Sequence, residues 1–222
     1  MSDATPADFK GTARLFPLPN LVLFPQVVQG LHVFEPRYRQ LAADALATDQ
    51  LITLVLLKPG WEDQYDAAPA VEPVACLGRV TWHEKLADGR YNLRLRGLAR
   101  VRIVEEFPTD RPYRTARVEL VPDLAPADLG ELKALRRSLA EAVLPRFEDG
   151  PARRQLQELF DGEMALGQVC DVLAYALPLP LELKQSLLAE AHAGRRAAAL
   201  ADALHASAAR ADRPFPPSFS AN

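Results

Sequence analysis

Along residues 15–46, apolar runs are broken by prolines before the hydrophobic period changes. Leu15-Phe16-Pro17-Leu18-Pro19 and Leu21-Val22-Leu23-Phe24-Pro25 precede Gly30-Leu31-His32-Val33-Phe34. Proline cannot donate to a central ladder, so the pattern predicts two short strands with a Pro-marked crossing, not one long strand. After Phe34, the residues Tyr38, Leu41, Ala42, Ala45 and Leu46 recur at three- and four-residue steps, one face of a helix. Pro36 stands at the first helical position, where an N–H is not needed, and Glu35 brings a carboxylate to the positive helix end. Residues 51–57 form a continuous apolar run of strand length, predicted to be buried on both faces. Residues 74–85 predict a strand, and Asp88-Gly89 a hairpin turn. The returning strand alternates Tyr91, Leu93 and Leu95 with Asn92, Arg94 and Arg96. Gly97 interrupts it as a bulge or bend, and Val101 and Ile103 carry it on, with Arg100 and Arg102 facing away. Residues 113–121 supply a further strand. Six or seven short strands with hairpin links predict a small closed or half-closed barrel.

Beyond Pro122-Asp123-Leu124-Ala125-Pro126 the period is helical throughout. Leu129, Leu132, Leu135, Leu139 and Val143 make one stripe. Leu156, Leu159 and Phe160 follow Pro151. Leu166, Val169, Cys170, Leu173, Ala176 and Leu177 make another, and Leu183, Leu187 and Ala191 begin a fourth before an alanine-rich final helix. Such stripes joined by short loops predict a helical bundle. The expected organisation is α+β: a tail over 1–14, a β-barrel with one internal helix over 15–122, a helical bundle over 123–208, and an extended Pro/Phe tail over 209–222 containing Phe215 and Phe219.

Composition narrows the function. With 222 residues, 49% hydrophobic and 25% charged, an ordered soluble protein is expected. A net charge of −3 opposes a chain devoted wholly to nucleic acid. No apolar run approaches the ~20 residues that span a bilayer, and the polar start is unlike a signal peptide, so no membrane partner and a cytoplasmic location are expected. Cys76 and Cys170 stand alone among apolar neighbours and read as buried thiols. There is no Gly-x-x-x-x-Gly-Lys-Ser/Thr phosphate loop. His32, His83, His192 and His205 are too scattered for a zinc site. Lys184 and Ser186, two positions apart on a helix, point in different directions, which opposes a Ser-Lys nucleophile. A non-enzymatic chain without metal or cofactor is the expectation.

One local charge bias stands out. Between Arg79 and Arg117 there are ten basic residues and five acidic ones. Arginines at alternate strand positions would line one outer face, able to meet phosphates or acidic peptides. The simpler reading is that they are paired, solvated or guarding strand edges. Trp61 and Tyr65, in a polar connection, are candidate contacts for a partner polypeptide, whereas Trp82, mid-strand, suits the core at least as well. Glu35 and Arg37 are expected to cap and tie the helix.

Leu18-Pro19-Asn20-Leu21-Val22-Leu23-Phe24-Pro25, followed by Leu31-His32-Val33-Phe34-Glu35-Pro36-Arg37-Tyr38, resembles the amino-terminal (LON) domain of the ATP-dependent protease La family. Leu77-Gly78-Arg79-Val80, the Asp88-Gly89-Arg90 hairpin, Arg100-Val101-Arg102-Ile103, Pro112-Tyr113 and the segment 181–188 extend the resemblance over most of the chain. It implies a PUA-like β-barrel followed by a helical bundle, with Phe34, Glu35, Pro36, Arg37 and Tyr38 as a structural motif. It also implies a role in recognising substrate polypeptides. Gly30 departs from the family, which often has proline there. The chain stops where an ATPase and a Ser-Lys protease domain would begin, so a stand-alone form is expected. The leading expectation is a module that holds unfolded or exposed polypeptide segments along apolar surface at the barrel–bundle junction, with Trp61, Tyr65, Arg94 and Arg96 as contacts. The alternatives are an RNA-binding barrel using the arginine-rich strands, and an adaptor or regulator of a separate ATP-dependent protease; weak self-association is compatible with either.

Overall fold

The strands predicted by the apolar runs pair in a circuit. β1 (Thr12–Leu18) lies parallel to β3 (Leu51–Leu56), with Leu15 opposite Thr53 and Leu18 opposite Leu56. A parallel neighbour needs a crossover, and the connection supplies it through β2 (Val28–Val33) and α1 (Pro36–Leu46). β3 pairs antiparallel with β4 (Val74–Lys85), β4 with β5 (Tyr91–Phe107), β5 with β6 (Thr115–Val121), and β6 with β1. β2 adds to the first half of β5. This computed structural model describes residues 9–64 and 68–210. The fold is α+β, and the expected barrel takes the form of an irregular rolled sheet, its ladders broken by register shifts in the β4–β5 and β5–β6 pairs.

Its interior is built from alternate residues. Ala13 and Leu15 of β1, Leu51 and Val55 of β3, Ala75 and Leu77 of β4, Val101 of β5, and Ala116 and Val118 of β6 form one buried cluster. β3 is buried at every position, as a continuous apolar run requires. The hairpin turn uses Gly89 at a φ of 83°, a conformation open to glycine. α1 starts as expected on Pro36, and Tyr38 and Leu41 bury its apolar face. The Glu35 side chain, however, makes no capping bond. It pairs instead with Arg37 at 3.0 Å, while the Arg37 guanidinium lies 4.7 Å from the Tyr38 ring centre.

Two residues of the sheet correct the sequence reading. Arg100 was expected to face outward with Arg94 and Arg96, and it is buried. In the β4–β5 ladder Gly78 faces Gly97 but Leu77 faces Ala99, so Leu98 is an extra residue that turns the following side chains over. Trp82 suited the core, yet it is 45% exposed. Val80 faces Leu95 and Trp82 faces Arg94, so Thr81 is the extra residue there and Trp82 swings to the opposite face.

The chain divides into two compact units. The first runs to Asp123 and takes in Asp171–Ala191 as well. That segment is bound to the sheet by polar contacts. Arg100 and Asp171, both with side chains 2% exposed, form a two-armed ion pair, with Arg100 Nε donating to the Leu188 carbonyl at 2.9 Å. Burial pushes the guanidinium pKa down, and the Asp171 charge more than reverses that. Gln185, in α5 (Leu181–Ala189), donates to the Val74 carbonyl at 2.9 Å. The second unit comprises Leu124–Cys170 and the chain from His192 onward. In it α2 (Leu129–Val143), capped by the Asp128 carboxylate, packs on α6 (Ala193–Arg210), with Leu139 and Val143 of the one and Ala197 and Leu200 of the other buried. Arg136 donates to the carbonyls of Phe160 and Gly162, both at 2.9 Å, fixing the end of α3 (Pro151–Asp161). The dividing line falls inside α4 (Leu166–Ala176). Among the described residues no helix is long and apolar enough to cross a membrane.

Candidate functional site

The Thr81 bulge and the arrival of β2 leave a three-stranded face uncovered. Pairing aligns Val28 with Arg96 and Arg79, Gly30 with Arg94 and Trp82, and His32 with Asn92 and Glu84. Along β2 every second residue points outward (Val28, Gly30, His32), and Phe34 continues the series just past its end. Val28, Trp82 and Phe34 are 49%, 45% and 59% exposed. Isolated apolar side chains at a surface are ordinary, but three of them on one face of one small sheet are not. Gly30 sits at the centre with open space where a side chain would be. As a residue other than proline it also keeps a backbone N–H at that point of an edge strand.

Polar groups frame this face. Arg94 lies 5.4 Å from the Trp82 ring centre, a cation–π contact that holds both flat side chains together. Arg96 donates to Gln26 Oε1 at 3.1 Å. His32 bridges the strands: Nδ1 lies 2.8 Å from Asn92 Oδ1 and Nε2 lies 3.3 Å from the Arg90 guanidinium. Arg90 can only donate, so Nε2 accepts and Nδ1 donates. Asn92 passes the chain on to Glu84 at 3.1 Å. The His32 and Phe34 rings stack at 6.3 Å. Such a surface offers flat apolar area, a fixed cation and an edge of β2 that no strand pairs among the described residues, the three elements that peptide recognition by strand addition uses.

The structure brings Arg94 and Arg96 to this face. Trp61 is half-buried in the connection between β3 and β4, and Tyr65 and the tail phenylalanines Phe215 and Phe219 lie outside the described residues. Of the motif at 34–38, Tyr38 is buried against Phe16, with ring centres 4.3 Å apart, and Phe34 points out. Phe34, Val28 and His32 are not contacts that sequence reasoning singles out, and Trp82 is one that it weighs against a place in the core. The period-two spacing of 28, 30, 32 and 34 was the signal that could have found them. The arginine-rich stretch does not form one continuous positive face. Arg90 pairs with Asp88, Arg111 with Asp44, Arg114 with Glu106 and Arg117 with Glu105, and Arg100 is buried.

The other chemical candidates diverge. Lys184 donates to the Tyr175 carbonyl at 2.8 Å while Ser186 donates to the Leu183 carbonyl at 2.8 Å. Burial lowers the Lys184 pKa. Cys76 is fully buried, and that burial pushes its thiol well above the ordinary range, opposite to the shift a nucleophile needs. Among the described residues no three His, Cys, Asp or Glu side chains gather as metal ligands would.

Known proteins resemble this chain in sequence and fold. Residues 12–206 match the family model of the ATP-dependent protease La (LON) substrate-binding domain. Lon protease 2 of Myxococcus xanthus is 30% identical over 184 residues, covering 82% of this chain and 22% of that protein. Lon protease of Anaeromyxobacter dehalogenans is also 30% identical, covering 82% of this chain and 21% of that one. The chain therefore spans about a fifth of the length of these curated relatives. The crystal structure of a Lon N-terminal domain protein from Xanthomonas campestris superposes with a TM-score of 0.60 at 30% identity, over 83% of this chain and 94% of that one. The N-terminal domain of the Mycobacterium avium complex Lon protease shares the fold, with a TM-score of 0.65 at 17% identity, over 87% of this chain and 98% of that one.

Proposed function

We propose, from the premise that this chain belongs to the ATP-dependent protease La (LON) substrate-binding domain family, that it is a non-catalytic module gripping exposed segments of other polypeptides. The observation that carries the reading is the uncovered β2–β5–β4 face, where Val28, Phe34 and Trp82 stand exposed around Arg94. An extended segment laid beside β2 would extend the ladder through its own backbone groups, which gives affinity without demanding a sequence. Its apolar side chains would cover Phe34 and Trp82, and Arg94 would favour segments with acidic neighbours. Gly30 leaves room for one bulky side chain at the centre.

The test is a fluorescence titration of the intact chain with a permanently unfolded, carboxymethylated polypeptide. Saturable binding is expected, weakened about tenfold or more by Phe34→Ala combined with Arg94→Ala, since the few central anchors dominate such interfaces. Leu129→Ala, an exposed leucine in the other unit, should leave it unchanged. Absence of saturable binding, or equal binding by the face variant, defeats the reading.

A further inference from the structure

At its mouth, the rolled sheet holds a feature that peptide capture on the open face does not use. Arg79 follows Ala75 and Leu77 along the inner face of β4, one step beyond the buried cluster, where β3 begins at Leu51 opposite it. There it meets a cavity of about 650 Å³ whose walls carry Lys10, Arg14, Arg79 and Arg111 against Asp49. We infer that this cavity is an anion site that takes a small phosphate-bearing ligand.

Three observations point that way. First, the guanidinium groups are held in place before any ligand arrives. Arg14 donates to Asp49 Oδ1 at 2.7 Å, Thr48 Oγ1 at 2.7 Å and the Leu51 carbonyl at 3.3 Å. Arg111 donates to Asp44 at 2.6 Å and to the Tyr113 hydroxyl at 2.5 Å. The Tyr113 hydroxyl itself donates to Asp44, holding that carboxyl below its ordinary range, so the anchor stays ionised. A donor oriented in advance loses little freedom on binding. Second, the charge is unbalanced. Four cations face Asp49 and, behind Arg111, Asp44, an excess of two positive charges that a phosphate monoester, at about −1.5 to −2, would neutralise. Half-buried Arg79 makes no ion pair or hydrogen bond among the described residues, leaving its fork of donors for the ligand. Third, the volume falls within the range of small-molecule sites, and Thr12 and Thr115 add neutral hydroxyls to the wall.

A nucleic-acid backbone fits less well. It needs a track of cations, and the other strand arginines Arg90, Arg114 and Arg117 are engaged by Asp88, Glu106 and Glu105.

The experiment is calorimetric titration of the intact chain at low salt with inorganic phosphate, a nucleoside monophosphate, citrate and a short single-stranded RNA. Saturable binding of phosphate or the monophosphate is expected, about tenfold weaker in Arg79→Gln and weaker again on adding salt. Tighter binding of the monophosphate assigns an organic phosphate, and equal binding assigns the free ion; either supports the site. Lys10→Gln, at an exposed position before β1, provides a second variant if Arg79→Gln lowers the melting temperature. No saturable binding, equal affinity in both variants, tighter binding of citrate, or binding of RNA alone overturns the inference. Polypeptide binding measured on Lys10→Gln, which lies off the β2–β5–β4 face, should be unchanged, which separates this site from the open face.

Discussion

Gly97 sits where residues 22–27 cross β5, and the crossing is made of backbone. Gly97 N–H donates to the Val27 carbonyl at 2.8 Å, and its own carbonyl accepts from Gln26 N–H at 2.9 Å. Gln26 reaches this position with a φ of 69°, a left-handed conformation that a side chain tolerates only when held by its surroundings. A methyl group on Gly97 would lie 2.1 Å from the Phe24 carbonyl oxygen, and Leu23 and Phe24 are themselves fully buried. Neither strand nor loop has room to retreat. Gly97→Ala is therefore expected to destabilise the protein by roughly 2–3 kcal/mol, read as a lower urea midpoint at unchanged slope. The sequence marks Gly97 as a break in an alternating strand. The reason for the break lies in a partner segment some seventy residues earlier, which strand periodicity does not register.

At the scale of the element, β5 shows what alternation can and cannot reveal. Tyr91, Leu93 and Leu95 are buried as their spacing predicts, and Arg94 and Arg96 point away from them. Leu98 then adds one residue without a partner, and Arg100 enters the interior although its number is still even. A bulge is a local backbone choice, and any residue can occupy it, so the inversion leaves no compositional trace. The same holds for Thr81 and Trp82 on β4. That is why the exposure of Trp82 was illegible in the sequence, while the two arginines were legible. Once inside, Arg100 depends on Asp171. Asp171→Ala should destabilise by about 3–5 kcal/mol, because it strands a buried charge. Combining Arg100→Met with Asp171→Leu should restore most of that loss, since apolar replacements remove the desolvation penalty with the pair. Urea unfolding of Arg100→Met, Asp171→Leu and the double variant measures the coupling directly.

For the whole molecule, the important fact is that the sheet-bearing unit is discontinuous. It ends at Asp123 and resumes for Asp171–Ala191, whose helices carry the partners of Arg100 and of the Val74 carbonyl. A fragment stopping at Asp123 would keep all six strands and lose both partners. It is expected to bind a hydrophobic dye and to melt well below the intact chain, and a peptide of residues 171–191 added in trans should reverse part of the loss. A native-like melt for the fragment alone would show that the returning segment is dispensable. Helical periodicity predicts that the segment is helical; it carries no sign of which unit the helix serves, because that depends on an ion pair between residues 71 positions apart. The circuit of strands adds a constraint in time. β1 lies between β3 and β6, so the first strand to leave the ribosome keeps a bare edge until the last has been made. Vectorial synthesis thus holds an unfinished, adhesive seam open from the making of Leu18 to that of Val121, the interval in which this sheet is most exposed to wrong pairing.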